Sequence, residues 1–359
     1  MRVIDAVLKF LYQPFKFIGK SFGYKLVAIR LSDLPLKYDI NISYNKDDPD
    51  IISKLPDAII LENKLKNTEI TSDNFDFIIN FTSYSDKISK VYQMLSDDLS
   101  KQVYFEIIKS RLISSFNEIN LHISPSYTFD SPKYPIPVID GDRYGIKGIL
   151  RNTYLNSQYE IPDIFEVKPG DIIFDIGAYY GDTALFFDSA VSPNGKVYAF
   201  EPNSNIAAVL KSNISKNKRT NIIVVEKGLS DTNSKSSLFN KEGASHIVSV
   251  AQSEYLAGSS SPTDQILDIE LTTIDDYIHL ENIKKIDLIK MDIEGHETAA
   301  INGAKQTLIS RKPKLAVAIY HSAHDLFELP LLIHRIQPEY KLYVRHATTE
   351  LSETVLFCI

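Results

Sequence analysis

The chain is predicted to fold as an α/β protein with a mostly parallel sheet, closed at its C-terminal end by an antiparallel strand. Two observations carry this. From about residue 170 onward, short apolar segments alternate with helix-like spans, the rhythm of βαβ units whose strands are buried on both faces. The last two apolar segments, 341–346 and 353–359, then follow each other too closely to enclose a crossover helix, so they should pair antiparallel.

Residues 1–30 interleave aromatic and aliphatic clusters with lysines, a pattern that suits an amphipathic helix broken near Pro14. Residues 31–76 are rich in Asp, Asn, Lys and Pro and read as loops with brief strands. From Ser96 the text SDDLSKQVYFEIIKSRLISSF places Leu99, Val103, Tyr104, Ile107 and Leu112 at helical spacing, with Ser96 as the expected N-cap. Residues 123–150, rich in Pro, Tyr and Gly, read as loop and boundary, which divides the chain into an accessory region, 1–150, and a main domain, 151–359. In the second part, DIIFDIGA, KVYAFEP, NIIVVEKG, DLIKMDIEG, KLAVAIYH, KLYVRH and ETVLFCI are the expected strands. Helices are expected over 181–190, 203–217, 297–310 and 325–336. Residues 240–264 are a polar, Ser-rich excursion between strands, where Gly243, Ser245 and His246 would sit in a substrate lid if one exists.

Composition narrows the function. At 359 residues with 44% hydrophobic and 24% charged residues, the chain has enough apolar material for a sizeable core. A formal net charge of −7 argues against nucleic acid as a partner, since phosphate binding needs clustered Lys and Arg. The single cysteine, Cys358, rules out an internal disulfide and a Cys-based zinc site, and points to the reducing cytoplasm. The N-terminus lacks the uninterrupted apolar core of a signal peptide, and no window approaches the roughly 18 apolar residues of a membrane span. Residues 1–30 nevertheless carry six basic residues against Asp5. That charge, set among Phe10, Phe15, Phe17, Ile18 and Phe22, fits a helix lying on the inner face of a membrane, or else a packed helix whose lysines reach solvent. Contact between copies of the chain is a further use open to the accessory region.

The chemistry begins in FDIGAYYGDTALFF, residues 174–187. A strand ends near Asp175, and Gly177, Ala178, Tyr179 and Gly181 form a turn into a helix opened by Asp182 and Thr183. The turn is not G-x-G-x-x-G. Helix N-termini favour anions, but two carboxylates repel a pyrophosphate, so a ligand bearing an ammonium group fits better than a dinucleotide. The next strand ends in FEPN, with Glu201 lying 24 residues beyond Gly177, near the offset of about 20 at which an acid holds ribose hydroxyls. The third ends in EKGLSD, where Ser230 and Asp231 could meet an adenine amino group. Turn, acid and polar pair at successive strand ends predict a nucleoside site.

On FDIGAYYGDTALFF, VYAFEPN, VEKGLSD, LTTIDDYI and above all IDLIKMDIEGHE, the chain resembles the FkbM-type S-adenosylmethionine-dependent methyltransferases over about residues 150–359. The resemblance implies a class I, Rossmann-like, seven-stranded sheet with the cofactor S-adenosylmethionine across its carboxyl ends. It further implies methyl transfer to oxygen, with a sugar hydroxyl of a glycan, polysaccharide or natural product as acceptor. Carried onto this sequence, Gly177 and Gly181 line the methionine end, Glu201 holds the ribose and Asp231 lies near the adenine, with Asp175, Ala178, Tyr179, Thr183, Asn203, Ser230 and Asp292 counted to the same cofactor site. The family's D-x-E-G-x-E pattern falls on Asp292, Glu294, Gly295 and Glu297.

A hydroxyl acceptor needs its proton removed. Asp292 and Glu294 follow the fourth strand and His321 the fifth, beside the transferable methyl group. His321 helped by Asp292 is one candidate for the base; alternatively Asp292 contacts the cofactor and His321 only caps its strand. The set Asp292, Glu294, His321, His324 and Asp325 could instead hold Mg²⁺, but no metal is assigned. His296 and His346 are expected to be structural. A catalytically silent nucleoside-binding domain, a non-sugar acceptor and an NAD-dependent enzyme are the competing readings. The last lacks both G-x-G-x-x-G and a suitably placed Tyr-x-x-x-Lys.

Overall fold

The computed structural model describes residues 77, 80–114, 124–141, 146–241, 244–248 and 265–359. The basic segment 1–30 lies outside the described residues, as do residues 31–76 and Gly243.

Seven strands form one sheet. In chain order they are β1 (Ile172–Ile176), β2 (Lys196–Phe200), β3 (Ile222–Val225), β8 (Leu288–Met291), β9 (Lys314–Ala318), β10 (Leu342–His346) and β11 (Thr354–Cys358); β4 to β7 belong to a second sheet. The spatial order is β10-β11-β9-β8-β1-β2-β3. All neighbours pair parallel except β11, which runs antiparallel to both β9 and β10. The expected parallel sheet with an antiparallel C-terminal strand is therefore present, and all seven expected strands are in it.

Side chains alternate cleanly across this sheet. Phe174, Ile176, Ile289, Met291, Leu315, Val317, Leu356 and Cys358 face one apolar layer. Ile173, Val197, Ala199, Leu288, Ala316, Val355 and Phe357 face the other. The first layer is covered by helices Phe81–Met94, Asp98–Ser114, Ile274–Leu280 and Asp325–Ile336, together with the pair Glu297–Asn302 and Lys305–Ser310. The second is covered by Asp182–Val191 and Ser204–Lys216, with Ile146–Tyr154 packed outside the former. Helices Phe81–Met94 and Asp98–Ser114 thus complete the core of the sheet, although they precede the expected boundary at residue 150. Arg345 of β10 reaches Asp97 at 2.6 Å and the Ser100 hydroxyl at 2.8 Å, which ties the second of them down. Its N-terminal cap is Asp97, whose carboxylate accepts the Ser100 N–H at 2.7 Å, rather than Ser96.

Three expectations needed correction. Helix 297–310 is two helices, because Gly303 lies against the backbone of Ser230: a Cβ there would come within 2.0 Å of the Ser230 carbonyl oxygen. Part of segment 123–150 is helical, at Ile146–Tyr154. The polar excursion contributes to a second, four-stranded sheet in the order β4-β7-β5-β6, formed by β4 (Gly228–Leu229), β5 (Ser234–Lys241), β6 (Ala244–Val248) and β7 (Gln265–Thr272). Its alternating polar and apolar residues read as loop because one face of this sheet is wet. Among the described residues no helix is long and apolar enough to cross a membrane.

Candidate active site

A cavity of about 430 Å³ opens at the carboxyl ends of β1, β2 and β8, where parallel sheets of this kind bind ligands. Its floor is set by strand register. Asp175 of β1 lies directly opposite Lys290 of β8, and the fully buried pair meets at 3.2 Å. Thr183 donates to the other Asp175 oxygen at 2.7 Å, and Lys290 donates to the Gly177 carbonyl at 2.7 Å. Asp175 and Thr183 are thus engaged with each other and with the strand ends; Thr183 reaches the cavity, whereas Asp175 lies beneath it. Lys290 is a charge inside an apolar strand, a signal the sequence carried, because a buried ammonium needs partners.

Gly177 lines the cavity and Gly181 does not, and both let other elements pack on the turn. Gly177 has φ +80, and a Cβ there would lie 1.9 Å from the Asp292 carbonyl; Gly181 has φ +94 and abuts Leu210. Their small size lets β8 and helix Ser204–Lys216 close on the turn. Ala178 is fully buried, whereas Tyr179 lines the cavity and lies against Tyr180 at a ring distance of 3.9 Å. Asp182, at the first turn of its helix, also faces the cavity; burial raises its carboxyl to about 6, against the opposing charge of Lys290.

Glu201 stands just beyond β2 in the cavity wall. Its two oxygens accept the N–H groups of Asn203 at 2.9 Å and Tyr179 at 3.2 Å, which fixes the carboxylate. Burial outweighs those bonds and raises it to about 7. Asn203 lies outside the cavity and instead caps helix Ser204–Lys216, accepting the Asn205 and Ile206 N–H groups. Ser230 and Asp231 are also outside it. The Ser230 hydroxyl lies 3.1 Å from His296 Nε2, and its N–H donates to Thr272. Lys227, Gly228 and Leu229, with Leu238 of the second sheet, form that wall in their place.

At the other end, β8 stops at Met291, so Asp292 and Glu294 occupy a loop in which Glu294 and Gly295 have positive φ. Both line the cavity. Asp292 accepts Tyr159 Oη–H at 2.9 Å and Tyr320 Oη–H at 3.1 Å. His321 sits behind it, with Nε2 3.2 Å from Asp292 and Nδ1 3.1 Å from Glu297. Burial alone would push the imidazole down, but the two carboxylates override it and hold His321 at about 11. Asp292 is held at about 2, since His321, Lys290 and Tyr159 outweigh its burial. The flanking carboxylates thus favour the protonated imidazole, the form that has no lone pair with which to accept a proton.

Asp292, Glu297 and His321 are also the described residues whose ligand-type atoms cluster within 4.8 Å. His324 stacks edge-on against Tyr84 and Asp325 accepts the Ser322 N–H, so they serve elsewhere. A metal at the trio would have to displace the His321 proton. Gln158, Tyr159, Tyr320 and Glu353, which complete the cavity, carried no sequence signal, being scattered over loops. His346 is buried against Thr354, consistent with a structural part.

A seven-stranded, mostly parallel sheet in this order, with an acidic cavity at its switch point, is the Rossmann-like fold of the class I methyltransferases. Residues 175–341, a little under half of the chain, match the Methyltransferase FkbM domain. The chain is 28% identical over 178 residues to the 2-O-methyltransferase NoeI of Sinorhizobium fredii (strain NBRC 101917 / NGR234), covering 46% of this chain and 69% of the relative. The crystal structure of Methyltransferase FkbM from Methylobacillus flagellatus KT shares the fold at a TM-score of 0.55 and 21% identity. That alignment covers 79% of this chain and 61% of the solved one.

Proposed function

We propose that the protein methylates a hydroxyl group of a carbohydrate. The observation that carries this reading is the make-up of the cavity lining. It joins the carboxylates of Asp182, Glu201 and Asp292 to the rings of Tyr159 and Tyr320 and the polar ends of Asn152, Gln158, Glu294 and Glu353, with Asp292 at the junction, bonded to both tyrosines; the first group is read as the cofactor end and the second as the acceptor end. The acidic end suits a nucleoside that carries positive charge. Glu201, with its carboxylate fixed by two N–H groups, would hold the ribose hydroxyls, and Asp182 and Asp292 would face the ammonium and sulfonium. Leu229, Leu238, Phe200 and Ile206 would flank the base. S-adenosylmethionine supplies an electrophilic methyl group there. The chain's own part is to place the acceptor oxygen in line, exclude water and take up a proton. The ring-and-carboxylate end fits a polyhydroxylated acceptor, because rings cover sugar faces while carboxylates accept hydroxyl protons. The name of the relative from Sinorhizobium fredii supports transfer to oxygen.

Two measurements test this. Calorimetry should give binding of S-adenosylmethionine and S-adenosylhomocysteine but not NAD. Mass spectrometry of glycans from cells with and without the gene should then differ by one methyl group. Cofactor binding with the new methyl group on a non-sugar metabolite would replace the carbohydrate reading. Binding with no methylated product in any fraction would favour a silent nucleoside-binding domain.

A further inference from the structure

Asp292, Glu294 and Glu353 are cavity carboxylates that surround Tyr320, and two of them are poorly suited to receive a proton. Asp292 is committed to Tyr159, Tyr320 and His321. Glu294 has its side chain 41% exposed, open to solvent rather than enclosed beside an acceptor. Glu353 differs from both. It sits where the connection from β10 enters β11, where Ala347 N–H donates to its carbonyl at 3.1 Å. Its backbone is left-handed, with φ 66. For a non-glycine residue that conformation costs on the order of 1 kcal/mol and collects at functional sites. Tyr179 and Glu294, also cavity residues, share the strain. Gln158 Nε2 donates to Glu353 Oε2, and the same nitrogen donates to Tyr159 Oη at 3.1 Å. As Tyr159 in turn donates to Asp292, one hydrogen-bonded chain orients Glu353 relative to the centre of the cavity.

We propose, on the reading of this cavity as a hydroxyl-methylating site, that Glu353 is the catalytic base and Gln158 its positioning residue. The acceptor hydroxyl gives its proton to the Glu353 carboxylate. Its oxygen forms the new bond to the methyl carbon as the carbon–sulfur bond breaks, and that electron pair stays on sulfur as a neutral thioether. The environment suits the task. Burial, then the Asp292 charge, raises Glu353 to about 8, against the Gln158 hydrogen bond and the His321 cation, which makes it a stronger base than an exposed carboxylate. The titratable groups around it are Asp292 and Glu294 after β8, His321 and Tyr320 after β9, Asp182 at its helix start and Tyr159 beside Gln158, the two tyrosines being neutral. A sulfonium entering this largely acidic set favours the ionised form of Glu353.

The test compares full-length wild type with Glu353→Gln, Glu353→Asp and Gln158→Ala. The probes are S-adenosylhomocysteine for binding, and methyl-tritiated S-adenosylmethionine with an extract of cells lacking the gene for transfer. Glu353→Gln should bind S-adenosylhomocysteine as wild type does, yet transfer label about 10²–10⁴-fold more slowly. It should also lose the single ionisation through which the wild-type rate rises with pH. Glu353→Asp should restore part of that ionisation, and Gln158→Ala should displace it. An unchanged rate or pH profile in Glu353→Gln overturns the proposal, as does a loss of rate matched by an equal loss of S-adenosylhomocysteine affinity. Wild-type label in a non-carbohydrate fraction overturns the carbohydrate reading alone, and the same comparison on that product still judges Glu353. Absence of wild-type label from every fraction overturns both.

Discussion

The place of Glu201 in the cavity was legible in the sequence because it depends on one strand end and one offset, both local in sequence. Its carboxylate is held by backbone N–H groups of Tyr179 and Asn203, so the geometry survives changes elsewhere. Glu201→Ala should weaken S-adenosylmethionine binding by about 10–100-fold, the equivalent of ~1.5–3 kcal/mol for hydrogen bonds to a charged group. Glu201→Gln, which keeps an acceptor, should lose less; calorimetry on the two variants reads this directly. Residues such as Gln158, Tyr159, Tyr320 and Glu353 were illegible for the opposite reason. They meet only because loops from three separate parts of the chain converge on one cavity, and no periodicity marks a loop residue. His321 lay between these cases. Its place after β9 was readable, but its charge was not, since that depends on Glu297 and Asp292 closing on both ring nitrogens.

Elements buried on both faces were readable because their strands are nearly all apolar, and the short gap before β11 betrayed its reversed direction. Where structure departed from expectation, a long-range contact was responsible. Helix 297–310 has continuous helical character in sequence, yet the Ser230 backbone crosses it at Gly303, where no Cβ fits. Gly303 itself has an ordinary φ of −77, so Gly303→Ala isolates the steric effect. It should destabilise the fold by about 1–3 kcal/mol, the usual cost of overpacking, and denaturant titration would measure it. An unchanged midpoint would mean that the two helices can separate at no cost. The second sheet was hidden for a related reason: its polar strands are held by pairing, β5 with β7 and β6 with β5, so composition alone reads as loop.

At the scale of the whole molecule, the cavity concentrates groups whose ionisation opposes folding or depends on it, and the sign of each can be worked out. Asp182, Glu201 and Glu353, raised by burial to about 6, 7 and 8, bind protons more tightly folded than unfolded. Stability therefore falls as pH rises from the ordinary carboxylate range through those values. His321, raised from 6.5 to about 11 by its carboxylate partners, gives stability fully present below 6.5 and lost as pH climbs through 11. Asp292 acts in the other direction. Lowered from 3.8 to about 2, it contributes above 3.8 and is lost as pH falls through 2. Thermal midpoints should thus be highest in mildly acidic buffer and decline steadily toward alkaline pH, with His321→Gln removing the part of the decline above about 8, where the carboxylates are already ionised. A cationic ligand reverses the carboxylate terms, because it binds the ionised cavity best. S-adenosylmethionine should therefore raise the midpoint more in alkaline than in acidic buffer, and NAD should not raise it at any pH. A cofactor-induced shift that was the same at every pH would mean that the carboxylates of the cavity do not face the charged end of the ligand.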